Sequence, residues 1–169
     1  MQIRKAAPVD ADDVVRIIRE VYIGGGWADA ERSPDYVAEL LDAPTRIAQA
    51  TVLLALDTDG LPVGTVTATQ APSHLANIAR PGELEIRMLA VVPSARRKGI
   101  AQALVAACEG LARDRGLVRI VLSTEPAMTA AIRLYEGLAY VRTPDRDWRI
   151  NGFGLITYAR DVLPSPTTP

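Results

Sequence analysis

Residues 84–101 read LEIRMLAVVPSARRKGIA, and this stretch decides the predicted fold. Leu84 to Val92 is a strongly apolar run that ends before a proline, which predicts a buried β-strand. A basic turn, Arg96 to Gly99, follows, and a helix is predicted from about Lys98 to Arg115, with Gly116 ending it. The helix carries an apolar stripe at helical spacing, formed by Ile100, Leu104, Cys108 and Leu111. The sequence therefore predicts a buried strand, then a basic turn, then an amphipathic helix that begins at this turn.

The basic turn has the composition of an anion-binding helix start. Helix N-termini present free backbone N–H groups and the positive end of the helix macrodipole. Gly99 has no side chain to block a diphosphate, and Arg96, Arg97 and Lys98 add three positive charges. The turn lacks the Gly-Lys-Ser/Thr of a Walker loop and two of the three glycines of a dinucleotide fingerprint. A solvated helix start is the alternative interpretation of this pattern taken alone.

Composition restricts the class of protein. The chain has 169 residues, 49% hydrophobic and 23% charged, and a formal net charge of −1. These values predict one globular domain with no overall field that would recruit nucleic acid or an anionic membrane. Met1 to Pro8 lacks the apolar run of a signal peptide, and no apolar stretch reaches the roughly 20 residues of a spanning helix. We therefore expect a soluble, cytoplasmic protein.

The chain contains one cysteine, Cys108, and one histidine, His74. One cysteine cannot form an internal disulfide. With a single histidine as well, the chain has too few ligands for a zinc site and too few residues for a Ser/Cys-His triad, so no metal is expected. Cys108 lies on the apolar stripe and is predicted to be a core residue. His74 lies in a proline-containing segment, residues 71–82, that is predicted to be a surface loop.

The remaining pattern predicts an α+β domain. Strands are predicted at residues 2–5, 51–56, 63–69, 84–92, 117–123, 140–142 and 153–158. Helices are predicted from the N-cap Asp10 through Val21, after Ser33 with an interruption near Pro44, at residues 98–115 and at residues 127–138. The order β-αα-ββ-β-α-β-α-β-β predicts one mixed sheet of about seven strands flanked by about four helices. The domain is predicted to span residues 1–160, and residues 161–169 a disordered tail.

Two segments carry a resemblance to a known family. Leu89-Ala90-Val91-x-Pro93-x-x-Arg96-x-x-Gly99-x-Ala101 resembles the coenzyme A motif of the GNAT family of N-acetyltransferases. Ala131 to Glu136, followed by Leu138-Ala139-Tyr140, resembles the later Ala-x-x-x-Tyr-Glu-x-x-Gly-Phe motif of that family. The resemblance implies a GNAT-like domain and acetyl-coenzyme A as the acetyl donor. The cofactor-binding residues that it implies are Leu89, Ala90, Val91, Arg96, Arg97, Lys98, Gly99, Ile100, Ala101 and Gln102.

The resemblance also implies roles in catalysis. A lysine-type amine has a pKa near ~10.4, so a base must deprotonate it, and the departing thiolate benefits from an acid. Tyr135 stands where the family carries a tyrosine acid, and a core residue is the alternative. Glu85 stands where some members carry a basic glutamate that acts directly or through a water. The alternative is a solvated strand face on which Glu85 is cross-paired to an arginine. Ser123 occupies the position of another glutamate that some relatives use, and Met128 replaces an asparagine.

The acceptor side carries weaker signals. In this fold the connection between the first two helices commonly forms one wall of the acceptor site, which implies Tyr22 and Trp27 as acceptor-binding residues, with Trp148 as a third. The run from Arg142 to Arg149 alternates arginine with aspartate and is predicted to be a charged loop.

The function expected from these features is direct transfer of acetyl from acetyl-coenzyme A to a primary amine on a small molecule. Two alternatives stay open. One is acetylation of a protein N-terminus or lysine, and the other is a non-catalytic acyl-coenzyme A-binding regulatory module. Dimerisation is common in the family, so a homodimer is a further expectation, although no sequence feature locates an interface.

Overall fold

The computed structural model describes residues 1–150 and 152–162, and its strands follow the predicted order. They are β1 (Gln2–Lys5), β2 (Thr51–Leu56), β3 (Pro62–Gln70), β4 (Glu83–Val91), β5 (Arg119–Thr124), β6 (Val141–Arg142), β7 (Trp148–Ile150) and β8 (Phe153–Asp161). The α-helices are α1 (Ala11–Ile18), α2 (Pro34–Leu41), α3 (Ala43–Gln49), α4 (Ile100–Asp114) and α5 (Thr129–Gly137). None of the helices in the described ranges is long and apolar enough to cross a membrane.

The strands form one mixed sheet in the order β1-β2-β3-β4-β5-β8-β6, and β7 pairs with β8. β4 and β5 are parallel, with Glu83 opposite Arg119 and Ile86 opposite Leu122. β1–β2, β2–β3, β5–β8, β6–β8 and β7–β8 are antiparallel. This arrangement confirms the predicted α+β class, with eight strands and five α-helices in the described residues in place of about seven and about four.

The chain divides into two compact units, and the division falls inside β3, β4 and α4. The first unit comprises residues 1–68 and 88–105, and the second comprises residues 69–87 and 106 onward. The core of the first unit includes Ile17, Ile18, Leu40, Leu54 and Leu104, each fully buried. The core of the second includes Leu84, Cys108, Ile120, Leu122 and Tyr158, each at most 2% exposed. These apolar side chains supply the burial that stabilises each unit.

The first helix differs from its prediction at its C-terminal end. The α-helical geometry ends at Ile18, and residues Arg19–Ile23 continue as a π-helical turn. The chain leaves the helix at Gly24, where a Cβ atom would lie 2.6 Å from the Glu20 carbonyl oxygen. Asp10 is at the N-cap position, but its carboxylate binds Arg4 and the Ala7 N–H instead of capping the helix.

The helix α4 begins later than predicted, at Ile100 and not near Lys98. The reason is backbone geometry, because Arg97 has φ 60° and Gly99 has φ 76°. Both values lie in the left-handed region and are incompatible with a right-handed α-helix. The basic residues therefore form a separate turn that precedes the helix.

The segment predicted as a charged loop, residues 142–149, contains structure that the sequence pattern did not reveal. Its end, Trp148–Ile150, is strand β7, which pairs with β8. Arg142 and Asp147 form a two-fold contact at 2.8 and 2.7 Å, so these two charges neutralise each other. In the predicted tail, Asp161 ends β8 and the Val162 N–H donates to the Val118 carbonyl, whereas residues 163–169 lie outside the described residues.

Candidate active site

The strand β4 contains a bulge at Met88. This residue has φ 53°, which is left-handed and unusual for a non-glycine residue in a strand. The ladder between β4 and β5 ends two residues earlier, at the pair Ile86–Leu122. The residues that follow the bulge are Leu89, Ala90 and Val91, which the family resemblance assigns to the cofactor. The bulge therefore separates the half of β4 that pairs with β5 from the half that the family resemblance assigns to the cofactor.

Side chains of the first unit bind two carbonyls of this second half. The Tyr22 Oη donates to the Leu89 carbonyl at 3.3 Å, and the Arg96 Nε donates to the Val91 carbonyl at 3.2 Å. Gly64 in β3 allows close packing here, because a Cβ atom would lie 3.2 Å from the Ala90 carbonyl oxygen. Sequence reasoning missed Gly64, although a glycine inside an apolar strand is a signal of close backbone approach.

The turn formed by Arg96, Arg97, Lys98 and Gly99 is exposed and leads into α4. The Ala103 N–H donates to the Gly99 carbonyl, so Gly99 is the N-cap and the N–H groups of Ile100, Ala101 and Gln102 have no partner within the helix. A Cβ atom on Gly99 would meet nothing within 4 Å, so the space beside the turn is open. Left-handed residues in such a turn orient successive N–H groups into a concave anion site. The residues present therefore fit a diphosphate.

Tyr135 is buried in the second unit, with 6% of its surface exposed. Its ring lies 5.9 Å from that of Tyr140 and 6.5 Å from that of Tyr158, measured between centroids. Burial raises the pKa of the Tyr135 hydroxyl, because the phenolate would lose its hydration. The hydroxyl is therefore protonated at neutral pH, which is the state that a general acid requires.

Glu85 is buried, with 1% of its surface exposed, and its carboxylate contacts both a loop and an arginine. Its Oε2 accepts three backbone N–H bonds, from Asn77, Ile78 and Ala79, at 2.9, 2.8 and 3.0 Å. Its Oε1 lies 3.9 Å from the Nε of Arg87, which is on the same strand, so this arginine is not the cross-strand partner of the alternative. The alternative of a solvated strand face is wrong, because residues of the 71–82 loop cover the carboxylate. Burial raises the pKa of Glu85 above its ordinary value.

The same loop is held by further charged side chains of the second unit. Arg87 donates to the Leu75 carbonyl. Arg146 donates to the Ile78 carbonyl at 2.6 Å and to both carboxylate oxygens of Glu83, at 2.9 and 2.8 Å. The predicted loop is thus confirmed as irregular in structure, and it is fastened from β4 and from residue 146. Sequence reasoning missed this set because the partners are up to 68 residues apart.

The predicted acceptor-binding residues lie in both units. Tyr22 and Trp27 are half-buried in the first unit, where the Tyr22 carbonyl accepts the Trp27 N–H at 2.8 Å. Trp148 is half-buried in the second unit, and its Nε1 is a buried donor with no acceptor among the described residues. The structure therefore groups the predicted donor-binding residues with Tyr22 and Trp27, and groups Glu85 with Tyr135 and Trp148.

The residues not assigned to the site also have defined places. Cys108 is fully buried, and burial raises the pKa of its thiol to about 12. His74 is exposed, as predicted. Within residues 1–150 and 152–162, no group of three His, Cys, Asp or Glu side chains is placed to hold a metal ion.

Comparison with known proteins places these features in a family. Residues 12–140 match the model of the Acetyltransferase (GNAT) family. Over 78 residues the chain is 35% identical to N-acetyltransferase 8B of Rattus norvegicus, and the match covers 44% of this chain and 35% of that protein. Over 58 residues it is 40% identical to mycothiol acetyltransferase of Thermobispora bispora, and the match covers 34% of this chain and 20% of that protein. The matches thus span at most 35% of the length of these curated relatives.

A solved structure shows the same fold. The phosphinothricin acetyltransferase of Sinorhizobium meliloti, in complex with acetyl-coenzyme A, superposes with a TM-score of 0.72 at 22% identity. The superposition covers 99% of this chain and 92% of that chain. Because the family match spans residues 12–140, well over half of the sequence, this chain belongs to the GNAT family of acetyltransferases.

Proposed function

We propose that this protein is an N-acetyltransferase that transfers acetyl from acetyl-coenzyme A directly to a primary amine on a small molecule. The observation that carries the proposal is the basic turn Arg96–Gly99, which is exposed, left-handed at two residues and open above Gly99. This turn directly follows a bulged strand and directly precedes a helix N-terminus. Family membership supports acetyl-coenzyme A as the donor. The Sinorhizobium meliloti acetyltransferase, which has the same fold, was solved in complex with acetyl-coenzyme A.

The donor is proposed to bind mainly through the backbone. The N–H groups of Arg97 to Gln102 bind the diphosphate, and the cationic side chains of the turn neutralise its charge. The backbone of Leu89, Ala90 and Val91 binds the pantetheine arm, with an N–H near the acetyl oxygen. An N–H donor placed where negative charge develops stabilises the tetrahedral transition state.

Acetyl transfer then requires two proton transfers. The nitrogen of the neutral amine attacks the thioester carbonyl carbon, the C–S bond breaks, and this nitrogen loses one proton. Glu85 is proposed to take that proton on Oε1, because its Oε2 already accepts three N–H bonds. Tyr135 is proposed to protonate the departing thiolate, which is consistent with its raised pKa. A carboxyl whose pKa is raised by burial is better matched to a base that operates near neutral pH.

Direct transfer is favoured over a covalent enzyme intermediate. The cysteine of the chain, Cys108, is fully buried and its thiol has a pKa of about 12. A nucleophilic cysteine needs an exposed thiol with a lowered pKa, so Cys108 has the opposite properties.

The first test is a screen for the acceptor. Release of free coenzyme A thiol is followed with acetyl-coenzyme A and a panel of amines that includes small polyamines, amino acids and peptides with free N-termini or lysines. Turnover with small amines at rates well above those with peptides supports the proposal. Preference for a peptide supports the protein acetyltransferase instead.

The second test concerns the donor site. Gly99→Glu places bulk and negative charge beside the proposed diphosphate and is expected to weaken coenzyme A binding at least tenfold in calorimetry. Gly60→Glu is the matched control, because Gly60 also has a left-handed φ, 81°, and open space around its Cβ position. Both variants carry the same backbone strain, so an equal affinity for coenzyme A in the two variants contradicts the assignment.

The rival is a binding module without catalysis. It retains the basic turn and has no need of Glu85 or Tyr135. Binding of acetyl-coenzyme A without turnover on any amine, unchanged by Tyr135→Phe, identifies this alternative. Turnover that falls in Tyr135→Phe while the affinity for coenzyme A stays the same supports the enzyme.

A further inference from the structure

The turn that follows α1 has an unusual geometry that fixes the position of Tyr22. Residues Arg19–Ile23 form a π-helical turn, in which the Gly24 N–H donates to the Arg19 carbonyl five residues earlier at 2.9 Å. Such a turn carries one residue more than an α-helical turn, so it rotates the side chains that follow it. π-helical turns inside α-helical segments are frequent at functional sites. Here the turn carries Tyr22 at its fourth residue.

The main chain of Tyr22 organises the glycine segment that follows. Its carbonyl accepts two N–H bonds, from Trp27 at 2.8 Å and from Ala28 at 2.9 Å. Gly25 makes this tight return possible, because a Cβ atom there would lie 2.3 Å from the Val21 carbonyl oxygen and 3.1 Å from the Trp27 ring. The position of Trp27 is therefore tied to the position of Tyr22.

The side chain of Tyr22 reaches the bulged strand. Its Oη donates to the Leu89 carbonyl at 3.3 Å across 67 residues of sequence. Leu89 directly follows Met88, whose φ of 53° defines the bulge. The Tyr22 hydroxyl therefore supplies the Leu89 carbonyl, next to the bulge, with a donor from a distant segment of the chain.

We propose that Tyr22 is a positioning residue that holds the Leu89 peptide on the donor side and Trp27 on the acceptor side in one fixed geometry. This inference rests on the proposed acetyl transfer, and it goes beyond a role for Tyr22 as a wall of the acceptor pocket. The Leu89 peptide belongs to the backbone proposed to hold the acetyl end of the donor. Loss of the hydroxyl frees this peptide and so misaligns the acetyl group relative to the amine. Small displacements of reacting groups lower rates strongly, by up to about 10²-fold for 1 Å.

The test compares two variants that each remove one hydroxyl bond to a backbone carbonyl. Tyr22→Phe removes the bond to Leu89. Thr65→Val is the matched control, since the Thr65 hydroxyl donates to the Leu53 carbonyl at 3.0 Å in the same unit and keeps its shape as valine. Amide hydrogen exchange of the free protein and steady-state kinetics with acetyl-coenzyme A are measured for both.

For Tyr22→Phe we expect exchange to accelerate about fivefold or more in two segments, 24–28 and 88–91, because a bond of ordinary strength ties them together. We also expect kcat to fall about tenfold while the affinity for acetyl-coenzyme A stays within twofold. Thr65→Val should leave both segments and kcat unchanged. If Tyr22 only stabilises the fold, Tyr22→Phe should accelerate exchange and leave kcat unchanged. A fall in kcat at unchanged affinity for acetyl-coenzyme A therefore distinguishes the positioning role from a purely structural one.

Two results overturn the inference. One is unchanged exchange at residues 88–91 in Tyr22→Phe, and the other is unchanged kcat in an otherwise active enzyme. Failure of the proposed function is recognised separately, because it is seen as absent turnover in the wild-type protein. The exchange measurement needs neither donor nor acceptor, so it still reports on the tie between the two segments.

Discussion

Replacement of Glu85 separates its role as a proposed base from its role in holding the 71–82 loop. Glu85→Gln keeps an oxygen that can accept the three N–H bonds of Asn77, Ile78 and Ala79, and it removes the charge. Glu85→Ala removes the acceptor altogether. The two variants therefore differ in what they leave for the loop, and both lack a base.

The effects on stability follow from these contacts. An unsatisfied buried N–H costs about 1–3 kcal/mol, but Asn77 is exposed and water can reach its N–H. For Glu85→Ala we expect a loss of about 3–5 kcal/mol in the free energy of unfolding, which also includes the loss of the carboxylate near the Arg87 side chain, which is 10% exposed. For Glu85→Gln we expect the free energy of unfolding to change by at most about 1 kcal/mol. The neutral amide forms weaker hydrogen bonds than the carboxylate, but the variant no longer buries a charge.

The pH dependence has a definite sign. Burial raises the pKa of Glu85, so the folded protein keeps this proton to higher pH than the unfolded chain does. The contribution of Glu85 to the free energy of unfolding is fully present below the unfolded pKa of about 4.3, and it is lost as pH rises through the folded pKa. Glu85→Gln should remove this pH dependence, and urea unfolding measured between pH 4 and 8 detects the change.

The effect on turnover tests the chemistry. A positioned base contributes about 10²–10⁴-fold, so Glu85→Gln should lower kcat at least about 100-fold with acetyl-coenzyme A affinity within twofold. Glu83→Gln is the control, because Glu83 is a buried carboxylate of the same strand that binds Arg146. It is expected to lose stability and to keep its kcat. If Glu85→Gln has the same kcat as the wild type at every pH, Glu85 is not the base. If Glu85→Ala lowers the free energy of unfolding by less than about 1 kcal/mol, Glu85 does not anchor the loop.

Three further predictions concern other parts of the chain. Ala139 has φ 62°, so Ala139→Gly should relieve strain and raise the free energy of unfolding by about 1 kcal/mol in urea titration, and a lower value contradicts this. The Arg4 guanidinium lowers the pKa of Asp10 to about 2, so Asp10→Asn should reduce stability at pH 7, with the difference from wild type shrinking as pH falls from about 4 to 2. The Cys108 thiol should resist a thiol reagent at pH 8 until the protein is unfolded, whereas rapid labelling of the native protein contradicts its burial.

The sequence predicted most of the fold because the elements follow local rules. The strands β2 and β3, the helix start at Ser33-Pro34 and the stop at Gly116 each depend on residues close together in the chain. The strand β7 escaped prediction because it is three residues long and its pattern is dominated by the charges of the preceding segment. Periodicity is too weak a signal for a strand of that length.

The candidate site was predictable to the extent that its chemistry depends on the backbone. The basic turn and Gly99 are readable because the site needs small residues and cations at fixed spacing. The left-handed conformation of Met88 and Arg97 was not readable, since neither residue type favours it. The tertiary structure imposes these two conformations, against the intrinsic preference of the residues.

The sequence by itself determined the order of strands and helices, the basic turn and the family motifs, because each of these depends on residues that are close together in the chain. Only the tertiary structure decided what Glu85 and Tyr22 contact. The carboxylate of Glu85 is enclosed by the N–H groups of the 71–82 loop, and the Tyr22 hydroxyl reaches a carbonyl 67 residues away. The physical reason is that hydrogen bonds between distant segments depend on how the chain folds back on itself. The spacing of residues along the chain carries no record of such contacts.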